Sequence, residues 1–496
     1  MQPFKAPVKP FPKPCPKTFP FRLHFKHRFK AWRFWGLEDA LLEALDHGAR
    51  QGASLTEVRA EETVKTLITV KDGKIEVSRE GFDSGAGIRV LFGGAWGYAS
   101  TPKVNPASLR KAAEKAFKLA RAVSQRVKTP VKLAEVKPEQ VKVRWKFKFH
   151  PSRVPVEDKV SLALNLSQSL LEADGRIRSC TVEYVDFSVL QHIYTGEGAR
   201  VLQEKVYVWL RANVSAFEAG VYASASEEVG ASQGFEYLSD ERLKALKCRL
   251  VERVRSQLEA VLPKGGVYPA VLGPSVVGVF AHESLGHMAE ADLALSGSIL
   301  LERMGHQVAS EHVTIYDDGG LEGSFGFLPY DDEGVKAGRA VILEKGVVTG
   351  LLHSRETAGR LESKATGNAR AESFRHTPLV RMRNTFMASG DYSLEELLEP
   401  IRFGYYLKAL RGGQANMDGT FQVGVQEAYE IVDGKIGRPV RNLSIGGNTL
   451  ETLMGVEALG KDFELWPGRC GKGQTAFVCD GGPTIRVRAV RIGGRG

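Results

Sequence analysis

The chain carries the sequence TLITVKDGKIEVS at residues 66–78. Two predicted strand segments, residues 66–70 and 74–78, flank the dipeptide Asp72-Gly73, and in the second of them polar and apolar residues alternate. Alternation of this kind is typical of half-buried strands, and Asp-Gly suits a tight turn whose central residues need positive φ. This stretch therefore predicts a β-hairpin.

The hairpin predicts a larger unit around it. A second strand pair is predicted at residues 87–92 and 96–100, around Gly93-Gly94. Apolar residues recur at helical spacing before and after the strands, which predicts helices at residues 37–51 and 106–124. The order is thus helix, antiparallel strands, helix.

The same order of elements recurs in the next part of the chain. Helices are predicted at residues 156–173 and 239–261, with strands at 179–190, 192–194, 204–212 and 220–225. Recurrence of one element order is the signature of a duplicated unit. We therefore predict that residues 36–265 form a duplicated α/β domain.

The remaining residues, 266–496, are rich in glycine and in short strand signals. Further hairpins are predicted around Lys345-Gly346 and Asp433-Gly434. The predicted fold class is α+β, with an N-terminal duplicated helix–antiparallel sheet–helix domain followed by a β-rich C-terminal domain.

The formal net charge of +10 comes almost entirely from the amino-terminal tail. Residues 1–33 hold nine Lys and Arg, no Asp or Glu, and seven Pro, so about +1 is left for the rest of the chain. Proline at this density blocks helices and central strands, and we expect residues 1–35 to be a disordered basic tail. Because the body is nearly neutral, nucleic acid is not expected as a partner.

The chain is not expected to be exported or to cross a membrane. No apolar stretch approaches the roughly 18 residues needed to span a bilayer, and the tail lacks the apolar region of a secretory signal. Five cysteines in 496 residues do not make a disulfide framework. These features predict a cytoplasmic protein.

One predicted helix, residues 274–290, has the sequence PSVVGVFAHESLGHMAE and contains the pattern H-E-x-x-x-H. Its histidines, His282 and His287, are five residues apart and would lie about 140° apart on a regular α-helix. A π-bulge would bring them together, and Gly286 would permit that adjustment. Two histidines alone do not make a metal site; they are equally typical of a partly buried helix.

Several ordered blocks resemble one family. The residues are AHESLGHMAEAD (281–292), GAGIRVLFGGAWGYAST (85–101), and the blocks at 365–387, 412–436, 445–453 and 470–474. Together they resemble the TldD/PmbA family, whose members are also called modulators of DNA gyrase. The resemblance covers about residues 38–494, and the retained H-E-x-x-x-H resembles the catalytic TldD type.

This resemblance implies a zinc metallopeptidase that hydrolyses short or unfolded peptides. It implies that zinc is bound by His282, His287 and Cys470, the last of these in the block CGKGQ, and that Glu283 is the general base on a zinc-bound water. It also implies a dimer, either a homodimer or a heterodimer with a PmbA/TldE-like paralogue. The alternative is a non-catalytic, zinc-stabilised modulator of another protein.

The roles of several nearby residues stay open at this point. Glu290 and Asp292 could hold the imidazole N–H groups in place or could be ordinary carboxylates at a helix end. Cys479 is the rival of Cys470, although a buried strand cysteine is its simpler interpretation. The remaining family-like residues could bind substrate or make structural hydrogen bonds: His376, Arg381, Asn384, Thr385 and Asn416.

Overall fold

The computed structural model describes residues 37–494. The predicted tail, residues 1–35, lies outside the described residues. In the N-terminal part the order helix, antiparallel strands, helix occurs twice, as predicted, with three such strands in each half. The elements are α1 Glu38–Arg50, β1 Leu55–Lys71, β2 Lys74–Phe92, β3 Ala95–Thr101, α2 Pro106–Ser124, β4 Gln140–Arg144, α3 Val156–Leu171, β5 Ile177–Thr195, β6 Arg200–Glu218, β7 Val221–Ala231 and α4 Asp240–Leu258.

Both halves of the N-terminal part contribute to one sheet. Its order is β3-β2-β1-β5-β6, and both β4 and β7 pair with β6. The halves meet where β1 pairs with β5 in antiparallel fashion. Val58 and Ala60 pack with the first helix pair, whereas Ile68 packs with the second. These residues of β1 share one face because side chains alternate along a strand, so both helix pairs cover the same face.

The other face of this sheet contacts the C-terminal part through polar groups and through an apolar cluster that includes Tyr207 and Phe325. Arg59 donates hydrogen bonds to the carbonyl oxygens of Ser373 and His376, each at 2.7 Å. Glu61 accepts a 2.7 Å hydrogen bond from the backbone N–H of Phe374. The N-terminal sheet is therefore covered on both faces.

The predicted hairpin turns are confirmed, but the strands are longer than predicted. Asp72 and Gly73 have φ values of 50° and 73°, as the turn requires. The predicted break after Leu190 is wrong, since β5 runs without interruption through Gln191. That polar residue is buried, and its amide donates to Glu61 at 2.8 Å and to Asp332 at 2.6 Å. Hydrogen bonds to distant residues thus compensate for its burial.

The C-terminal part consists mainly of short strands. It begins with β8 Gly266–Leu272, α5 Pro274–Val279, a π-helical turn Phe280–Gly286, α6 His287–Ala289, α7 Ala291–Ala294, α8 Ile299–Glu302, β9 Ile315–Asp318, β10 Arg339–Glu344, β11 Val347–Val348, α9 Arg355–Arg360, β12 Ala369–Arg370, β13 Leu379–Val380, β14 Asn384–Met387 and α10 Leu394–Leu398. It ends with β15 Phe403–Ala415, β16 Thr420–Val432, β17 Lys435–Val440, β18 Leu443–Asn448, α11 Thr449–Met454, β19 Val456–Leu459, β20 Glu464–Gly471, β21 Thr475–Gly482 and β22 Ile485–Gly494.

Two sheets enclose the helical segment of residues 274–289, which we call the metal helix. The first is closed, with order β15-β8-β22-β18-β16, because β16 also pairs with β15. The second has the order β11-β10-β9-β14-β21-β20. Phe280, Leu285 and Met288 of the metal helix are at most 1% exposed and belong to the largest core. A helix that is apolar on most sides is typically buried in this way.

The predicted α+β fold class is confirmed, whereas the predicted domain boundaries stay predictions. None of the helices within residues 37–494 combines the length and apolarity needed to cross a bilayer.

Candidate metal centre

The metal helix changes its hydrogen-bonding pattern at the H-E-x-x-x-H motif. Residues Phe280–Gly286 are π-helical and lie between the α-helical turns α5 and α6. The wider π-turn places residues i and i+5 on the same face. The rings of His282 and His287 therefore face each other, with centroids 5.3 Å apart and planes at 79°. This distortion agrees with the prediction from the histidine spacing.

Gly286 allows the π-turn to pack closely. A Cβ atom at this position would lie 2.1 Å from Sδ of Met382 and 3.0 Å from the carbonyl oxygen of Ala281. Met382 is 1% exposed and belongs to the same core. The glycine is therefore needed for close approach, since its own φ of -58° is available to any residue.

Cys470 lies near the end of β20 and approaches the two histidines. Its Sγ is 3.2 Å from Nε2 of His287. One ligand atom from each of His282, His287 and Cys470 lies within 4.8 Å of the others. Cys470 and His282 are buried, and His287 is partly buried. The structure thus brings together all three residues implied as ligands.

Cys479, the rival of Cys470, lies elsewhere. Cys470 pairs with Ala476 across the hairpin, and Cys479 is three residues beyond Ala476, so it points to the opposite face. Its Sγ accepts a 3.2 Å hydrogen bond from the backbone N–H of Phe325, and burial raises the pKa of its thiol to about 12. A neutral, buried thiol of this kind is a structural cysteine.

The donor set suits a tetrahedral metal ion. Zinc–nitrogen and zinc–sulfur bonds of about 2.0–2.3 Å correspond to ligand separations of about 3.3–3.6 Å. The 3.2 Å contact between Cys470 and His287 is close to this range. Burial, followed by His287 and Arg381, lowers the pKa of His282 well below its usual value. A neutral imidazole is the form that binds a metal ion.

Glu283 lies beside the cluster without joining it. Its Oε1 is 4.0 Å from Nε2 of His282, and its Oε2 is 3.9 Å from Nε2 of His287. Its side chain is 38% exposed. Burial raises the pKa of the Glu283 carboxyl, His287 opposes this shift, and Glu290 adds to it. Glu283 is thus positioned to exchange protons with a group near the metal site.

Glu290 holds the second histidine in place. The chain leaves α6 with an extended conformation at Glu290, which bridges to Leu352. The fully buried carboxylate meets Nδ1 of His287 at 2.9 Å. Burial lowers the pKa of His287, but Cys470 and Glu290 outweigh it and raise the value to about 10, so a metal ion would displace a proton from this ring on binding. A contact of this type fixes the orientation of an imidazole and leaves Nε2 to face the metal.

Lys472 and Arg381 surround Glu290 with positive charge. Nζ of Lys472 is 3.0 Å from Glu290 and 2.6 Å from Asp292. Arg381 donates a 2.7 Å hydrogen bond to the carbonyl oxygen of Cys470 and lies 3.8 Å from Glu290. Arg381 thus links the cysteine strand to the carboxylate that holds His287. Asp292 contacts Lys472 instead of an imidazole.

The other family-like residues make structural contacts. The side chain of Asn384 donates to the carbonyl oxygen of Asp318, and that of Thr385 donates to Asp317. The ring of His376 contacts Ser373, and the side chain of Asn416 donates to Thr420. Sequence reasoning gave no role to Lys472, although this residue follows Cys470 closely in the block CGKGQ.

Two imidazoles, a thiol and a carboxylate beside them are the groups that a metal-dependent hydrolase uses. Comparison with known families agrees with this class. Three family descriptions match: PmbA/TldA metallopeptidase domain 1 at residues 56–120, the central domain at 149–258, and the C-terminal domain at 265–494. The chain belongs to the PmbA/TldD family of metallopeptidases.

Curated relatives support this assignment. A metalloprotease of Methanothermobacter thermautotrophicus is 39% identical over 441 residues, 88% of this chain and 95% of the relative. A zinc metalloprotease TldD homolog of Saccharolobus solfataricus is 32% identical over 445 residues, 89% of this chain and 97% of the relative. The chain is thus a metallopeptidase that aligns with its relatives over nearly their whole length.

Solved structures show the same fold. TldE from Thermococcus kodakarensis matches with a TM-score of 0.75 and 20% identity, covering 92% of this chain and 100% of TldE. A Thermotoga maritima protein described as a modulator of a DNA gyrase matches with a TM-score of 0.76 and 22% identity, covering 93% and 100% of the two chains. At this level of identity the likeness concerns the fold alone.

Proposed function

We propose that this chain is a zinc-dependent peptidase that hydrolyses short or unfolded peptides, with Glu283 as the general base. One observation carries the proposal. Cys470 reaches His282 and His287 from a distant part of the chain, and the two carboxylate oxygens of Glu283 lie 3.9–4.0 Å from the imidazole nitrogens. A purely structural metal site needs no such base.

The three donors fit zinc best among the common metal ions. A thiolate and two imidazoles are ligands that zinc binds readily, and a catalytic zinc site keeps one position open. The thiolate leaves the site with one net positive charge. When bound, zinc lowers the pKa of water and polarises a carbonyl group. The name of the Saccharolobus solfataricus relative supports the choice of zinc.

Glu283 provides the proton transfers of the reaction. Its partly exposed carboxylate accepts a proton from the attacking water and passes it to the leaving amine. Burial raises the pKa of this carboxyl, which makes it a stronger base than an exposed glutamate. Glu290 supports the reaction indirectly, because it keeps the ring of His287 oriented through Nδ1.

Small or unfolded substrates and a dimeric assembly complete the proposal. The family resemblance implies an active site enclosed between subunits, which would exclude folded proteins. The same resemblance implies a dimer, and mass measurement of this chain with and without a TldE-like paralogue would distinguish a heterodimer from a homodimer.

We further propose a reducing, cytoplasmic location. Cys180, Cys470 and Cys479 form no disulfide within the part of the chain that the structure describes. A thiol that binds zinc must also stay reduced. Fractionation of cells that produce the untagged chain would test this location.

Substitution of Glu283 by glutamine tests the mechanism. Glutamine has nearly the same shape but cannot accept the proton, so peptide hydrolysis should fall by about 10²–10⁴. Zinc content, measured on the purified full chain, should stay at one ion per chain. Glu302→Gln is the matched control, because Glu302 is exposed at the end of α8, and it should keep both properties.

Three other outcomes of these measurements would each count against the proposal. Loss of zinc in Glu283→Gln would make Glu283 a ligand or a structural residue. Unchanged hydrolysis with retained zinc would mean that another group is the base. A wild-type chain that holds zinc and hydrolyses none of a broad set of peptides would favour the alternative, a zinc-stabilised modulator.

A further inference from the structure

The thiol of Cys470 lies beside the tip of the β20–β21 hairpin. Cys470 is the second-last residue of β20, and residues 472–474 form the turn that leads to β21. Within this turn, the backbone N–H of Lys472 donates a 3.0 Å hydrogen bond to the carbonyl oxygen of Gln474. The end of a hairpin opens more readily than the middle of a sheet. The position of the thiol therefore depends on the contacts that hold the 472–474 turn in place.

Lys472 anchors this turn with its ammonium group. Nζ of Lys472 lies 3.0 Å from Oε2 of Glu290 and 2.6 Å from Oδ1 of Asp292. It also donates a 2.9 Å hydrogen bond to the carbonyl oxygen of Val380. An ammonium group has three N–H donors, so these three contacts use all of them. Lys472 therefore keeps no donor for a substrate and instead holds separate parts of the chain together.

One atom of Glu290 connects Lys472 to a metal ligand. Oε2 of Glu290 meets Nζ of Lys472 at 3.0 Å and Nδ1 of His287 at 2.9 Å. Glu290 is fully buried and directly follows α6, the last turn of the metal helix. The 472–474 turn and the imidazole of His287 are thus joined by two successive contacts that do not involve a metal ion.

These contacts and the facing ligand atoms form a closed path. Sγ of Cys470 lies 3.2 Å from Nε2 of His287, and Lys472 is two residues after Cys470. The path runs from the thiol through the 472–474 turn to Glu290, and from there through the imidazole back to the thiol. A displacement of the turn therefore changes the separation of the two ligand atoms.

Arg381 holds the same turn in a different way. Its guanidinium donates hydrogen bonds to the carbonyl oxygens of Cys470 at 2.7 Å and of Gln474 at 2.5 Å. These bonds fix the main chain on both sides of the turn. Nε of Arg381 is 3.8 Å from Oε1 of Glu290, which is too long for a hydrogen bond. Lys472, and not Arg381, therefore joins the turn directly to Glu290.

We propose that Lys472 is a positioning residue, which fixes the 472–474 turn against Glu290 and so sets the separation between the thiol of Cys470 and His287. Its effect passes through Glu290 and the main chain of the turn, because the three contacts of its ammonium group include neither ligand. The proposal rests on the zinc site proposed above. It adds that the chain holds the thiol in place before a metal ion binds, as a preorganised site requires.

Lys472→Met tests the role of the ammonium group. Methionine keeps most of the apolar stem and removes the three donors. Loss of an outer contact of this kind typically weakens metal binding about 10–100-fold, and zinc affinity, measured by competition with a chelator, should fall within that range. Lys472→Arg keeps a cation and should recover part of the affinity, which packing of the stem alone would not predict. Lys435→Met, at the exposed start of β17 after another hairpin turn, is the matched control and should keep wild-type affinity.

Hydrogen exchange of the metal-free chain tests the position of the turn without zinc. In Lys472→Met the amides of residues 471–475 should exchange about tenfold faster than in wild type, because a local contact is lost. Residues 477–481 of the same hairpin should keep the wild-type rate. Lys472→Arg should exchange at an intermediate rate and Lys435→Met at the wild-type rate. Mass spectrometry of peptic fragments measures the two segments separately, and destabilisation of the whole chain would accelerate both.

The two measurements separate this proposal from the proposed function. If wild type binds no zinc, the zinc-dependent function fails, and exchange in the 472–474 turn still decides the role of Lys472. Faster exchange confined to the turn, with weaker zinc binding where wild type binds zinc, supports the role. Unchanged exchange in Lys472→Met, equal acceleration of both segments, or undiminished zinc affinity overturns it. An affinity in Lys472→Arg as low as that in Lys472→Met also overturns it.

Discussion

Glu290→Gln is the substitution that separates a positioning carboxylate from an ordinary helix-end carboxylate. The glutamate is fully buried and holds Nδ1 of His287 at 2.9 Å. Loss of a partner of this kind typically costs 10–100-fold in metal affinity. That range corresponds to about 1.4–2.7 kcal/mol. We therefore expect zinc to bind more weakly by this factor, while one ion per chain still binds at saturation.

The same substitution should also destabilise the metal-free chain. Removing the charge of Glu290 leaves Lys472 and Arg381 with less compensation in a largely buried place. Breaking a buried pair by removal of one partner costs about 3–5 kcal/mol. Because Lys472 keeps its 2.6 Å contact with Asp292, we expect a loss near the lower end of that range.

Two measurements distinguish the effects, and Asp292→Asn is the matched control. Competition with a chelator gives the zinc affinity, and denaturant unfolding of the metal-free chain gives the stability. Asp292 contacts the same lysine but is 29% exposed, and its contacts do not include His287. Its substitution should change zinc affinity by less than about threefold. Wild-type affinity in Glu290→Gln, or an equal loss in Asp292→Asn, would refute the positioning role.

Two further predictions concern the ligand set and the π-turn. Cys470→Ala should abolish zinc binding measured by metal analysis, whereas Cys479→Ala should keep one ion per chain; retained zinc in Cys470→Ala would contradict the ligand assignment. Gly286→Ala should lower the free energy of unfolding by about 1–3 kcal/mol through overpacking, since its Cβ would lie 2.1 Å from Sδ of Met382. The second substitution Met382→Ala should recover part of that loss in a double-mutant cycle, and strictly additive effects would show that the contact is not the cause.

Local signals in the sequence predicted the turns better than the strands. The Asp72-Gly73 turn is confirmed because its φ values depend on those two residues alone. Separate strands were predicted at residues 179–190 and 192–194, on either side of the polar residue Gln191. That prediction failed because Gln191 is satisfied by Glu61 and Asp332, which are distant in sequence. A strand that carries buried polar groups cannot be recognised without its partners.

The metal site could likewise be predicted from the sequence only in part. The five-residue spacing of His282 and His287 predicted the π-turn by helical geometry alone. The choice of Cys470 over Cys479 came only from the family resemblance. In the structure the reason is the hairpin register, which turns the two thiols to opposite faces. The roles of Glu290 and Asp292 stayed open, because the direction of the chain after α6 depends on the bridge to Leu352.

The two glycines of the metal helix explain why this site tolerates little change. A Cβ atom at Gly278 would collide with Asp480, and one at Gly286 would collide with Met382. The helix between them is enclosed by two sheets, so relief of either contact must come from the neighbouring side chains, and a closely packed core transmits such strain. The π-turn, the approach of Asp480 and the register of Cys470 therefore form a single packing arrangement. A substitution at either glycine should thus displace the metal ligands as well as the residue that it contacts directly.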